Sequence, residues 1–405
     1  MRILFINLGW EQTPLIDLIA EQNVELYGVH YNSDYYKEPK YRDVLISDLR
    51  DLPRILRFAE KIQPDAVISD QCDYSQFVQA VISEKMGLPG PSVRSAQIGN
   101  NKVLQRQLAV EHGITSPEFK CCLSVEEALD AANNFGYPVM IKPPDNRGSF
   151  GVNRADRPED VRDFFYEALM QSHSRTVLVE RYISGRHITV DGYSFQGCGP
   201  KALALATKDK LKEKNSIIDG EITYPGELDE AVYEKAEQTL EKIADKFGFN
   251  FGYLHGEFIV TVDGDVYLTE IANRGGGVFT SEVIVPNVSG INTNAVYIND
   301  CIGKPVIDLA YDLDDIKRTP TLLKFFAFTD VHEGIVKKVQ GIDKLSIKEN
   351  VLKVKMLIHP GDIISGISSG ADRHGMIIVT GSTLSGAREE LMNAIDLLEV
   401  TIEGN

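Results

Sequence analysis

In the first seventy residues, short apolar runs alternate with amphipathic stretches, and this alternation most constrains the fold. "RILFINL" has the composition of a buried strand, "TPLIDLIAEQN" that of a helix with Thr13 as N-cap and Pro14 at its first position, and "VELYGVHY" that of a second strand. "DLPRILRFAEKIQ" then reads as a helix and "DAVISD" as a third strand. Such alternation predicts a parallel sheet covered by helices, ending near residue 95. Only Gly9 follows the first strand, so the G-x-G-x-x-G loop of a dinucleotide site is missing. Ligands of such sheets lie beyond the carboxyl ends of the strands. Asp70, Gln71 and Asp73 are therefore candidates for substrate contact, although ordinary loop polarity accounts for them equally well.

With 405 residues the chain exceeds one hydrophobic core, and two or three domains are expected. Its 43% apolar and 25% charged residues are those of an ordinary soluble globular protein. A formal charge of −17 argues against nucleic acid or an anionic membrane as partner, while leaving room for a nucleotide, which needs only a local basic cluster. The five cysteines are scattered without zinc or disulfide spacing, as in a reduced cytosolic protein. No apolar run reaches signal-peptide or membrane-spanning length, so a cytoplasmic location is expected.

The stretch "GEFIVTVDGDVYLTEIANR" holds two glutamates in otherwise apolar, β-branched sequence. Asp263-Gly264 is a strong hairpin signal, since a type I′ turn needs positive φ at both central residues. With those two residues as the loop, Val262 pairs with Asp265, and Glu257 falls opposite Glu270 on a face shared with Ile259, Val266 and Leu268. Facing Cβ atoms would be about 4.5–5.5 Å apart. Two carboxylates that close destabilise each other unless one is protonated or a cation lies between them. A divalent cation site and a solvated acidic hairpin face both remain open on this stretch alone.

Upstream, "GNNKVLQRQLAVEHGI" reads as a helix carrying Lys102 and Arg106, and "YPVMIKP" as a strand ending on Lys142. "PDNRGSFGV" is a loop whose glycines let the backbone approach an anion, and "TVLVERYI" and "SGRHITVDGYS" supply further strand. "ELDEAVYEKAEQTLEKIADKFG" has Leu228, Val232, Ala236, Leu240, Ile243 and Phe247 at helical spacing, so this helix should cover one side of a sheet. The last ninety residues have strand composition in "HEGIVKKV", "VLKVKMLI" and "GMIIVTG". They end in a helix, "SGAREELMNAIDLLEV", with Ser385 as N-cap, Glu389 and Glu390 in its first turn, and Leu391, Ala394, Ile395 and Leu398 inward. A lysine beside a glycine loop, together with paired acids, suits a magnesium–nucleotide site better than any one element does. The G-x-x-x-x-G-K-[ST] order of a P-loop is absent.

Taken jointly, "GNNKVLQRQLAVEHGITSP", "YPVMIKPPDNRGSFGV", "VERYISGRHITVDG" and "HGEFIVTVDGDVYLTEIANRGGG" resemble the ATP-grasp superfamily in order and spacing. The resemblance implies an α/β fold with an N-terminal parallel α/β domain (1–96), a central two-lobe ATP-binding region (97–310) and a β-rich C-terminal α/β lobe (311–405). It implies that Lys102 and Lys142 contact ATP phosphates under a loop around Ser149, Phe150, Gly151 and Val152. Glu180 and Ile183 would meet the adenine through backbone groups. Glu257 and Glu270 would bind Mg2+, two ions in the fuller form, with Mn2+ as the alternative. Arg274 resembles the family's phosphate-facing arginine and, with Lys142, is the expected catalytic pair.

His187 stands where many members have a ribose-binding glutamate, and a ribose or phosphate role for it is open. Ala272 replaces the asparagine that often follows the second glutamate by two residues. Asn273 should point to the other sheet face and is left out of the metal set. "ANRGGG" resembles the ligases that join carboxylates to amines. The implied function is an ADP-forming ligase acting on small-molecule carboxylate and amine substrates through an acyl phosphate. A bicarbonate- or formate-activating enzyme and a non-catalytic nucleotide-binding regulator are the alternatives. A homodimer would be in keeping with the family.

Overall fold

The computed structural model describes residues 1–405 apart from 35–37, 147, 149, 212–217, 306–311, 314, 329–333, 365, 368 and 405. The N-terminal elements are β1 (Arg2–Ile6), α1 (Thr13–Ala20), β2 (Glu25–His30), β3 (Tyr41–Ile46), α2 (Leu52–Ile62), β4 (Ala66–Ile68) and α3 (Asp73–Met86). Their strands form a parallel sheet in the order β3-β2-β1-β4. β1 after Arg2, and β4 throughout, are apolar because helices bury both sheet faces. The additional strand, β3, lies at the sheet edge and buries only Val44, so "YRDVLI" has no continuous apolar run to announce it. Thr13 is the first helical residue rather than the cap: a 3-10 turn, Trp10–Gln12, runs directly into α1.

Next come α4 (Val93–Gly99), α5 (Lys102–Glu111), β5 (Phe119–Cys122), α6 (Val125–Phe135), β6 (Val139–Lys142), β7 (Asn153–Ala155), α7 (Pro158–Gln171) and β8 (Val177–Arg181). An antiparallel sheet, β5-β8-β6-β7, packs with α6 and α7 around its own core of Val139, Ile141, Phe165 and Val179. This small lobe carries Lys142 at the end of β6.

The remaining elements are β9 (Arg186–Phe195), β10 (Gly199–Lys210), β11 (Asp219–Tyr224), α8 (Glu230–Phe247), β12 (Gly252–Val260), β13 (Val266–Ala272), α9 (Val285–Ser289), α10 (Thr293–Cys301), β14 (Thr321–Phe326), β15 (Gly334–Gln340), α11 (Ile342–Ser346), β16 (Val351–Met356), β17 (Ile363–Ile364), β18 (Gly375–Thr380), α12 (Leu384–Ile395) and β19 (Glu399–Gly404). One antiparallel sheet runs β13-β12-β9-β10-β11-β14-β18-β16, so strands from after residue 311 continue the central sheet without a break. A three-stranded sheet, β17-β15-β19, completes the C-terminal lobe.

α8 buries Tyr233, Ala236, Leu240, Ile243 and Phe247 at helical spacing against one face of the large sheet, which leaves the other face for the site. Left-handed Gly248 ends the helix. α12 is capped by Thr383, whose hydroxyl accepts from the Gly386 amide at 3.0 Å, and not by Ser385. It therefore begins earlier than expected, which moves Glu389 and Glu390 beyond the first turn. Ile395 is 38% exposed, and Glu399 already belongs to β19. No helix among the described residues is long and apolar enough to cross a membrane.

Candidate active site

Two offsetting irregularities bring the glutamates of the β12–β13 hairpin together. Its loop has three residues, Val262 to Gly264, and not the expected two: Thr261 N donates to Asp265 O at 3.0 Å and Gly264 N to Thr261 O at 3.0 Å. Within the loop only Gly264 has positive φ, at 78°, so the turn is not type I′. The longer loop shifts the ladder by one, setting Phe258 against Leu268. A bulge at Thr269 then shifts it back, and Glu257 faces Glu270 as the sequence predicts. The bulge also reverses the faces. Val266 and Leu268 lie in the core beneath α8 and do not share the glutamates' face, whereas Ile259 does line the cleft with Glu257.

Asn101 caps α5, and the helix aims Lys102 and Arg106, four residues apart, at this hairpin. Lys102 Nζ lies 2.9 Å from Glu270 Oε1 and donates to Asn146 O at 3.1 Å. Arg106 is fully buried; its Nε donates to Glu180 Oε1 at 2.7 Å and its Nη2 to the carbonyl of the bulge residue Thr269 at 2.6 Å. Lys142 Nζ takes the other Glu180 oxygen at 2.6 Å. Two cations on one carboxylate leave a buried positive surplus. Burial, with repulsion from Arg106 and Lys102, lowers the Lys142 pKa against the pull of Glu180. Burial would raise Glu180, but Arg106 and Lys142 outweigh it and hold that carboxyl below its usual range.

A cleft of about 970 Å³ opens beside this cluster, lined by Lys142, Gly151, Val152, Glu180, Ile183 and His187 among others. Phe150 also lines it; Ser149 lies outside the described residues. Burial brings the His187 pKa down to about 4, which makes its imidazole neutral at neutral pH.

A second chamber of about 290 Å³ adjoins the cleft and shares Glu257 with it. Here sequence reasoning missed a charge network. Glu257 Oε1 accepts from Lys208 Nζ at 2.5 Å, Lys208 also lies 3.4 Å from Asp219, and Lys210 lies 2.6 Å from Asp219. The available signal was the end of "KALALATKDK", where lysines two apart on a strand share one face. His255 Nδ1 meets Asp191 Oδ1 at 2.7 Å. Burial opposes its charge, but Asp191 pushes the His255 pKa up to about 9. Burial would likewise raise Glu257, yet Lys208 and His255 hold it well below the ordinary carboxylate value.

Arg274 also lines the chamber, its Nε 2.6 Å from Asp73 Oδ1 and its Nη2 3.2 Å from Oδ2. β13 ends at Ala272, and Asn273, just beyond it, turns inward: its Nδ2 donates to Phe251 O at 2.8 Å and to Tyr253 O at 3.0 Å. Asp70 and Gln71 prove to be clasps between domains and not part of the chamber lining. Asp70 accepts from the Gly275 amide at 2.7 Å and from Ser281 Oγ at 2.5 Å, and Gln71 accepts from the Phe279 amide at 3.2 Å. A Cβ on Gly275 would lie 2.1 Å from Ser281 Oγ, so only glycine permits this approach. The clasp also holds Val278 and Phe279 at φ of 58° and 61°, a region costly for both side chains.

Asp70 and Glu282 form a buried carboxyl pair behind this loop. Burial, with Asp70 alongside, raises the Glu282 pKa well above its ordinary value. The folded protein thus holds a proton that the unfolded chain releases near pH 4.3, and stability falls as pH rises above that value, by about 1.4 kcal/mol per unit while the difference of one proton lasts. Glu282→Gln is expected to flatten this slope. Melting temperatures measured from pH 5 upward check it, and parallel slopes for the two proteins would contradict it.

Against this geometry, comparisons with known proteins are informative. Residues 135–282 match the ATP-grasp domain family, and residues 327–403 match L-amino acid ligase C-terminal domain 2. Formate-dependent phosphoribosylglycinamide formyltransferase of Ignicoccus hospitalis is 23% identical over 362 residues, 88% of this chain and 85% of that protein. D-alanine–D-alanine ligase of Trichlorobacter lovleyi is 28% identical over 211 residues, 51% of this chain and 65% of that protein. The crystal structure of L-amino acid ligase from Bacillus licheniformis superposes with a TM-score of 0.84 at 17% identity, covering 100% of this chain and 99% of that one, which shows a shared fold. The chain thus carries an ATP-grasp domain at residues 135–282 and an L-amino acid ligase C-terminal domain at residues 327–403, on a fold that it shares along its whole length with that L-amino acid ligase.

Proposed function

We propose that the chain is an ADP-forming ligase that joins a small carboxylate to an amine, with amino acids as the substrate class. The observation that carries this reading is that Glu257 lines both chambers, so the basic end of the large cleft opens directly on the smaller one. A nucleotide in the cleft would put its phosphates near Lys102 and Lys142, under Gly151 and Val152. Backbone groups at Glu180 and Ile183 would meet the base, and neutral His187 would face the ribose.

Among the described residues no cluster of three or more His, Cys, Asp or Glu forms a ready metal cage. Two facing glutamates, each now held by a lysine, nevertheless fit Mg2+ in the manner usual at phosphate sites, where one or two carboxylates act together with phosphate oxygens. Bound Mg2+ would neutralise charge on the phosphates during transfer to the carboxylate. The chain's own part is to orient and to neutralise. Lys142 and Lys102 hold the phosphates, and Arg274 faces the acyl phosphate and the charge that builds up as the amine adds.

Lys142→Ala removes a fixed cation while leaving the Arg106–Glu180 pair in place. It is expected to weaken binding of a non-hydrolysable ATP analogue by about 1.5–3 kcal/mol, read by calorimetry. A matrix of carboxylic acids, amino acids and formate against amines, scored by ADP release, tests the reading as a whole. Formate belongs in the matrix because the relative from Ignicoccus hospitalis, which aligns over most of the chain, is formate-dependent. ADP release that needs both an acid and an amine is expected, and release with bicarbonate alone would overturn the reading.

A further inference from the structure

Arg373, in the turn before β18, lines the smaller chamber and makes no hydrogen bond or ion pair with any described residue. Its Nε is buried without a partner, and its guanidinium lies over the Phe325 ring, 3.6 Å from the centroid. Asp219 and Glu257 act on it only at a distance, and both are already held by Lys208. In the same site Arg106 and Arg274 each close on a carboxylate. A buried Nε without a partner is costly, and the fork that it forms with the terminal nitrogens matches a carboxylate. Around it, Ile222, Val278, Leu323 and Phe325 make an apolar wall.

The reacting carboxylate is assigned to Glu270 and Arg274, where Lys102 reaches Glu270, whereas the charges that act on Arg373 are those of Asp219 and Glu257. An anion at Arg373 is therefore a second one, carried through the reaction unchanged. Resting on the ligase reading above, we propose that Arg373 is the specificity residue that binds this spectator carboxylate, so that the chamber selects an α-amino acid with an apolar side chain over an amine that lacks the carboxylate.

The test is calorimetry on the full chain with Mg2+ and a non-hydrolysable ATP analogue, titrating L-leucine and L-methionine, each beside its amide. The wild type is expected to bind at least one acid about tenfold or more tighter than its amide. Arg373→Gln should abolish that preference by weakening the acid alone, with affinity for the ATP analogue unchanged. Arg373→Lys, a point charge without the fork, should restore part of it. Failure of the wild type to bind any acid, no preference for acid over amide, or equal loss for both in Arg373→Gln would overturn the assignment. Inorganic phosphate binding that Arg373→Gln abolishes, with acid binding intact, would overturn it in favour of a phosphate-bearing substrate. The ligase reading is judged separately by wild-type ADP release. A retained preference in Arg373→Gln sinks only the Arg373 assignment, and absent ADP release beside a lost preference sinks only the ligase.

Discussion

Glu270→Gln is expected to lower kcat/KM by about 100- to 1,000-fold, matching the several kcal/mol that a positioned metal charge contributes to phosphoryl transfer. Glu270 stands directly opposite Glu257, and its partner on the protein is Lys102 at 2.9 Å, the lysine assigned to the phosphates. Glutamine keeps the size but removes the charge, so the Mg2+ concentration giving half-maximal rate should rise while the fold is retained. Glu257→Gln should be milder, because Lys208 and His255 already offset its charge. Wild-type turnover in Glu270→Gln, measured beside an unchanged melting temperature, would contradict the metal assignment.

Arg274→Ala is expected to reduce kcat by about 100- to 1,000-fold, the range for removing one donor aimed at charge that develops in a transition state. KM should change much less, because the interaction strengthens only as the amine adds. The variant also removes an ion-pair partner of the mostly buried Asp73. Arg274→Ala with Asp73→Asn separates the two effects: the double variant should recover stability without recovering kcat. Recovery of kcat in the double variant would make Arg274 a structural residue only.

What could be read from the sequence follows from how local each signal is. β1 and β4 were legible because burial on both faces makes them continuously apolar, and β3 was not because an edge strand has no such need. The glutamate pairing was legible for a partly accidental reason. The predicted turn was one residue too short, and the bulge at Thr269, which no composition rule marks, restored the register. Asp70 read as a ligand contact because it follows a strand. Its true partner, Gly275, is 205 residues further along the chain. Lys208 and Asp219 lie on consecutive paired strands, and the lysine spacing was a signal left unused; Arg373 could not be placed because the strand that follows it, β18, joins the eight-stranded sheet only through β14. The Lys102 and Arg106 pair, by contrast, follows from helical spacing alone.

The central claim is that a carboxylate is activated as an acyl phosphate, and trapping that species is its most direct measurement. With ATP, Mg2+ and the preferred acid present and the amine replaced by hydroxylamine, the account predicts a hydroxamate formed in step with ADP and phosphate. ATP consumption without hydroxamate, or the appearance of AMP and pyrophosphate, would contradict it.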